Sequence, residues 1–297
     1  MIDFIRVHYD DKNQLETFVL DKTKFEKAFT VLEYHSGVIM YPYRVNLENM
    51  EIVINEKSGY VKNSIHKLNN LLLEGDEHNH NDFSYSQLCS MIDFLNDNVI
   101  DIASNKITQF EFGLNIKIPV KPEDFISKNV LMHNFEKHTA IRKFKGRGYL
   151  LEFEHYNYKI KIYDKSKQYR IKKDNILRFE IKFLNSKEFN PLGVYNINDL
   201  KDVQVLNKLF NYLLKRYDEL LIVDGFSSES ISDKDVQKLG MYSSFSYWEN
   251  LINNNQRQTK MNNKRKYLKM LENYKLLKRK NYLREQLIAK FKELMVN

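Results

Sequence analysis

Ile107–Asn115 (ITQFEFGLN), Lys159–Lys165 (KIKIYDK) and Leu177–Phe183 (LRFEIKF) alternate apolar and polar residues. That period of two marks strands with one face in a core. The apolar half suffices for packing. The other half carries Glu111, Tyr163, Lys165 and Glu180. Two carboxylates on neighbouring strands can hold one Mg²⁺ or Mn²⁺ ion through oxygen, and a tyrosine beside them can act on a phosphodiester. Taken singly, each residue has an ordinary reading: a Glu alternating with Phe and Ile is commonly solvated on the open face of an antiparallel sheet.

The set of motifs, in order and spacing, resembles the gene-II-type replication initiators of filamentous phages and their plasmid relatives, the rolling-circle initiators. In that family a strand reading roughly ITRIDA precedes a YxK strand and then RFEIR. Here they stand as Ile107-Thr108-Gln109-Phe110-Glu111, Tyr163-Asp164-Lys165 and Arg178-Phe179-Glu180-Ile181-Lys182. Met1–Val7, Asn63–Lys67 and Asn79–Phe83 are also similar, so the resemblance covers about residues 1–200. Gln109 replaces Arg and Glu111 replaces Asp.

The resemblance implies a single-strand DNA endonuclease and ligase that binds duplex and single-stranded origin DNA. It would nick one strand with Mg²⁺ or Mn²⁺, stay on the 5′-phosphate as a phosphotyrosine, and rejoin ends. It would work with host helicase and polymerase in the cytoplasm of a bacterial cell. Carry-over selects Tyr163 as nucleophile, Lys165 as its activating neighbour, and Glu111 and Glu180 as metal ligands. Tyr149 stays open as nucleophile because a tyrosine before the YDK strand serves in the plasmid branch; Tyr156 and Tyr158 are rivals by proximity. His155, in a turn near the Tyr163 strand, is either a third ligand or simply solvated. His78-Asn79-His80 is flanked by Asn and lies ahead of a helix, which favours a loop and N-cap over a metal site. A mobilisation relaxase is the nearest alternative of the same chemical class, and the departures at Gln109, Glu111 and Asn115 leave a non-catalytic DNA- or RNA-binding protein as the alternative from a different class.

The 297 residues carry a net charge of +8. Thirteen Lys or Arg against two Glu fall between Arg257 and Lys292, a local +11 that exceeds the whole-chain total. Such asymmetry is the footprint of a polyanion. Arg142, Lys143, Lys145 and Arg147 form a basic loop that either tracks phosphate or is solvated. Arg178 is a further phosphate contact by motif. From about Lys260 to Met295 the chain reads as one or two basic helices; Lys264-Arg265-Lys266 and Lys278-Arg279-Lys280 lie fourteen residues apart, on similar faces if the helix is unbroken. The single cysteine, Cys89, excludes an intramolecular disulfide framework and fits a reducing compartment. No apolar run reaches the roughly 20 residues that span a bilayer, and Met1–Asp11 lacks the pattern of a secretory signal.

The expected fold is α+β: an antiparallel-sheet catalytic domain over residues 1–196, then a basic helical region over 197–297. FIRVHY and Glu51–Ile54 read as strands with Lys22–Glu33 a short helix between them. Asp82 or Ser84 caps a helix to Leu95, and Asn190–Gly193 is a turn.

Overall fold

The computed structural model describes residues 1–21, 25, 29–32, 39–144, 148–229 and 231–296. Its centre is a ten-stranded sheet in which every pairing is antiparallel. The first half of the chain supplies β1 (Ile2–Tyr9), helix α1 (Lys12–Val19), β2 (Phe29–Leu32), β3 (Ile39–Leu47), β4 (Met50–Ile54) and β5 (Gly59–Ser64). Helices α2 (Ile65–Glu74) and α3 (Tyr85–Asn98) follow, then the long β6 (Lys106–Lys117), α4 (Pro122–Asn129) and β7 (Val130–His133). Next come β8 (Ala140–Phe144), β9 (Gly148–Glu154), β10 (Tyr158–Asp164), the short α5 (Lys165–Gln168) and β11 (Ile176–Phe183).

The strand order β2-β3-β4-β5-β1-β6-β11-β10-β9-β8 puts the three alternating segments side by side at the centre, with β1 as their neighbour. One face is apolar: Ile5, Val7, Phe110, Phe112, Leu114, Ile160, Ile162, Phe179 and Ile181 are buried in a single core. The α3 helix starts where expected, with Ser84 accepting from the Gln87 amide and Gln87 returning the bond, a reciprocal cap that satisfies otherwise orphaned donors. Its Leu88, Ile92 and Leu95 face the sheet.

The chain then runs through α6 (Ser186–Phe189), α7 (Val203–Asp218), β12 (Leu220–Ile222), α8 (Asp233–Ser243), α9 (Phe245–Asn253), α10 (Arg257–Asn273) and α11 (Lys278–Val296). These helices divide between two cores. Leu206, Leu209 and Leu213 of α7 and Leu283, Leu287 and Phe291 of α11 join the sheet core, where the Phe210 and Phe291 rings stack at 4.0 Å. Leu239, Trp248, Tyr267 and Leu271 form a second core with Met132 and Phe135, next to the two-stranded pairing of β12 with β7.

Two sequence expectations change, and an open choice in the tail is decided. Phe29–Leu32, within the expected helix Lys22–Glu33, is strand β2, and most of the remainder of that segment lies outside the described residues. The basic loop begins as strand: Arg142 and Lys143 belong to β8, paired with β9, while Lys145 and Arg147 lie outside the described residues. Of the two readings of the basic tail, one helix or two, the structure has two. The tail breaks between α10 and α11, where Lys275 adopts φ 55°, so the two Lys-Arg-Lys clusters share no common helical phase.

Candidate active site

Register, more than sequence proximity, assembles the polar face. On β11 Glu180 pairs with Gly113 of β6 and with Lys161 of β10. Glu111 sits two residues before Gly113, on the same face, and pairs with Lys182. A Cβ at position 113 would fall 2.3 Å from the Glu180 Cβ, so only glycine allows β6 and β11 this approach. The third carboxylate comes from β1. There Ile2 pairs with Phe112 and Ile5 with Phe110, leaving Asp3 and Phe4 together opposite Glu111. A bulge of this kind re-aims a side chain, and it turns Asp3 to the polar face. Ligand oxygens of Asp3, Glu111 and Glu180 lie within 4.8 Å of one another, and all three residues are buried. Asp3 escaped sequence reading although the Met1–Val7 segment was singled out.

The carboxylates are enclosed by cations and amides. Arg178, 2% exposed, donates from Nε to Glu180 Oε2, from Nη1 to Asn115 Oδ1 (3.1 Å) and from Nη2 to Asp3 Oδ2 (3.2 Å). Asn79 Nδ2 reaches Asp3 Oδ2 at 2.6 Å, and the Ser64 hydroxyl donates to Asp3 Oδ1. Lys161 Nζ bridges Glu111 Oε1 (2.9 Å) and Glu180 Oε1 (3.1 Å), and Lys182 adds a contact to Glu111 at 3.3 Å. Burial alone would raise the Glu180 carboxyl, but Lys161 and Arg178 overcome it and hold the group down at about 2. Asp3 is likewise held below the usual carboxylate range, burial being outweighed by Arg178 and Lys165.

These residues fit a hard divalent ion: the donor set is all oxygen and anionic. The Lys161 ammonium between Glu111 and Glu180 marks a position where positive charge is stabilised, and a metal there would have to displace it.

Tyr163 and Lys165 reach the same place. The Tyr163 hydroxyl donates to Glu180 Oε2 at 3.3 Å, and burial, then Glu180, push its pKa well above 10. Lys165 is not on the strand as the spacing suggests. Strand β10 ends at Asp164, whose carboxylate caps α5 by accepting from the Lys167 amide at 2.8 Å. From the first turn of α5 the buried Lys165 ammonium lies 5.4 Å from the Tyr163 ring centre and donates to Asn79 Oδ1 at 2.7 Å. Burial, then Arg178, lower its pKa to about 7. A cavity of about 270 Å³ is lined by Asp3, Glu111, Glu180, Tyr163, Lys165 and Tyr169, among others. Tyr169, which sequence reasoning passed over, donates to Asn79 Oδ1 at 2.6 Å.

Other expected residues lie elsewhere. Tyr149 lines a separate cavity with Ile126, Leu131 and His138, because it alternates with Leu150, the residue that faces the carboxylates. Tyr156 is 92% exposed in the β9–β10 turn. His155 begins that turn, stacked on Tyr158 and 3.1 Å from His133 Nδ1, about three residue pairs along the sheet from Glu180. It therefore lies apart from Glu111 and Glu180, and the third carboxylate beside them is Asp3. Arg178, expected at phosphate, is buried, with its guanidinium donating to Asp3, Asn115 and Glu180. His78 pairs with Glu74 at 2.7 Å in a loop ahead of α3. In the tail Arg265, Lys266 and Lys278 are exposed. Lys264 lies over Phe135, Arg279 donates to Asn129 Oδ1 (2.7 Å), and Lys280 donates to the carbonyls of Asp218 and Leu220 (2.6 Å each). Among the described residues no helix is long and apolar enough to cross a membrane.

Neither a family model nor a curated protein matches this sequence. Among solved structures the chain is similar to a rolling circle replication initiator protein from Geobacillus stearothermophilus, at 12% identity and a TM-score of 0.45, over 79% of this chain and 89% of that one.

Proposed function

We propose that this chain is a rolling-circle replication initiator that cuts and rejoins one strand of origin DNA through a covalent phosphotyrosine. One observation carries the reading. The Tyr163 hydroxyl is hydrogen-bonded to Glu180, a member of a buried three-carboxylate cluster, inside a cavity shared with a lysine of lowered pKa. The ordered motifs that resemble such initiators supply the same residues.

The chemistry follows from the groups present. Glu180, held near 2, is too weak a base to take the phenolic proton and instead orients the hydroxyl. Lys165, with a pKa of about 7, exists partly as the free amine at neutral pH and is suited to accept that proton. The Tyr163 oxygen then bonds to phosphorus, the P–O3′ bond breaks, and Lys165 returns the proton to the departing 3′ oxygen. The 5′-phosphate remains on Tyr163 until a 3′-hydroxyl reverses the step. Asp3, Glu111 and Glu180 would hold Mg²⁺ or Mn²⁺, which when bound polarises a phosphoryl oxygen. Host helicase and polymerase would act on the freed strand in the host cytoplasm.

A non-catalytic nucleic-acid binder is favoured by one feature, the Lys161 ammonium that already neutralises Glu111 and Glu180. Glu111→Gln separates the readings. Nicking of a supercoiled plasmid bearing the cognate origin should disappear while duplex binding stays within about threefold. Undiminished metal-dependent nicking by this variant would remove the carboxylate cluster from the mechanism.

A further inference from the structure

A second cavity, of about 450 Å³, opens on the same sheet face and shares Phe4 with the carboxylate cavity. Its floor is made by alternate residues of four neighbouring strands: Lys62 and Tyr60 of β5, Phe4 and Arg6 of β1, Gln109 of β6 and Lys182 of β11. Most of its charge is already answered. Lys62 pairs with Glu51 at 2.8 Å, and Glu51 also holds Arg44 at 3.0 Å. Lys182 pairs with Glu111. Arg6 differs from them: its guanidinium lies 4.0 Å above the Tyr60 ring, and its Nε is buried without a hydrogen-bond partner. Among the described residues no carboxylate pairs with it. A guanidinium held over an aromatic ring, with donors unspent, is pre-organised for an oxyanion with planar, forked geometry.

We propose that Arg6, stacked on Tyr60, binds a backbone phosphate of single-stranded DNA on its way to the carboxylate cavity. The proposal rests on reading that cavity as a strand-cleaving site, which makes the ligand a nucleic-acid strand. Arg6 follows Asp3 by three residues on β1, roughly 10 Å at about 3.3 Å per residue, so the contact falls on a phosphate beside the scissile one. Phe4, between the two cavities, offers a ring on which a base can stack.

The test uses the full chain and a twelve-residue oligothymidylate, with binding followed by fluorescence anisotropy across a salt series without divalent metal. Arg6→Ala should weaken binding about ten- to a hundredfold, the range for one charge-assisted hydrogen bond. It should also lower the slope of log K against log salt by about 0.7, one single-strand phosphate. Arg6→Lys should keep the slope but not all of the affinity, because an ammonium replaces the charge without the fork. Lys234→Gln, an exposed site on α8, is the control for bulk charge. Circular dichroism of each variant checks folding. An unchanged slope and affinity in a folded Arg6→Ala protein overturns the proposal, even if the protein forms covalent adducts with DNA. If the wild type forms no adduct yet the Arg6 slope change appears, the strand site stands and the nicking reading falls.

Discussion

At the scale of single residues, the site is a set of buried charges each of which depends on the others. Arg178 and Glu180 are both 2% exposed and bonded to each other. Replacing Glu180 by Gln therefore leaves the buried guanidinium with only one of its two carboxylate partners, Asp3, at a cost of up to about 3–5 kcal/mol. A urea titration should show that loss, and a Glu180→Gln protein as stable as wild type would contradict the pairing. This makes Glu111, whose cation partners are lysines closer to the surface, the cleaner probe of chemistry. Lys161 gives a second expectation. Its ammonium occupies the gap between Glu111 and Glu180, so Lys161→Met should tighten Mn²⁺ binding by about tenfold or more, the removal of one competing charge. Titration calorimetry reads this directly. Weaker binding in the variant would mean that Lys161 is not where the ion goes.

At the scale of elements, the decisive contact is the approach of β6 to β11. Gly113→Ala puts a methyl carbon against the Glu180 backbone as well as its Cβ, at 2.7 Å from the Glu180 Cα and from the Phe179 carbonyl oxygen. The strands must part, with a cost of about 1–3 kcal/mol or more, and the carboxylates separate. The variant should lose stability and Mn²⁺ affinity together. Retention of both would show that the register is not fixed here.

The same strands were the legible part of the sequence. Their strict alternation gave β6, β10 and β11, and with them Glu111, Glu180 and Tyr163. Three other strands had no such signal. Gly59–Ser64 is mostly polar, Ile39–Leu47 contains Pro42, and Leu220–Ile222 has three residues; each exists because a neighbour pairs with it. Asp3 was hidden for a sharper reason. Regular alternation along β1 would put it on the core face with Ile5 and Val7, and only the bulge between Ile2 and Ile5 reverses it. Lys165 was found by motif, but its route into the cavity runs through the cap of α5 and not along β10.

At the scale of the whole molecule, the basic tail is built into the fold. Because α10 and α11 contribute Tyr267, Leu271, Leu287 and Phe291 to the two cores, deleting the tail would expose both. Charge substitution is the proper test. Arg265→Gln, Lys266→Gln and Lys278→Gln together should flatten the salt dependence of duplex binding by up to about 0.9 per phosphate contact. An unchanged slope would assign the tail to scaffold alone.

Stability should also depend on pH through His133, where burial, then His155, lower the pKa to about 4. An unfolded histidine titrates near 6.5, so the neutral native form is disfavoured as pH falls below that value. At pH 5 the loss from His133 is about 2 kcal/mol, and His66, held near 3 mainly by burial, acts in the same direction. Urea titrations at pH 7.5 and pH 5.0 measure it, with His133→Gln expected to lose part of the difference. A wild-type stability that is flat over this range would refute it.

The central claim is that Tyr163 becomes covalently joined to DNA. The direct measurement is to incubate the protein with Mn²⁺ and supercoiled plasmid carrying its origin, digest with trypsin, and sequence the DNA-linked peptide. The account predicts a link on the peptide Ile162-Tyr163-Asp164-Lys165, absent from Tyr163→Phe and present in Tyr149→Phe, Tyr156→Phe and Tyr158→Phe. Origin DNA bound without any covalent link, or a link mapped to another tyrosine, would contradict it.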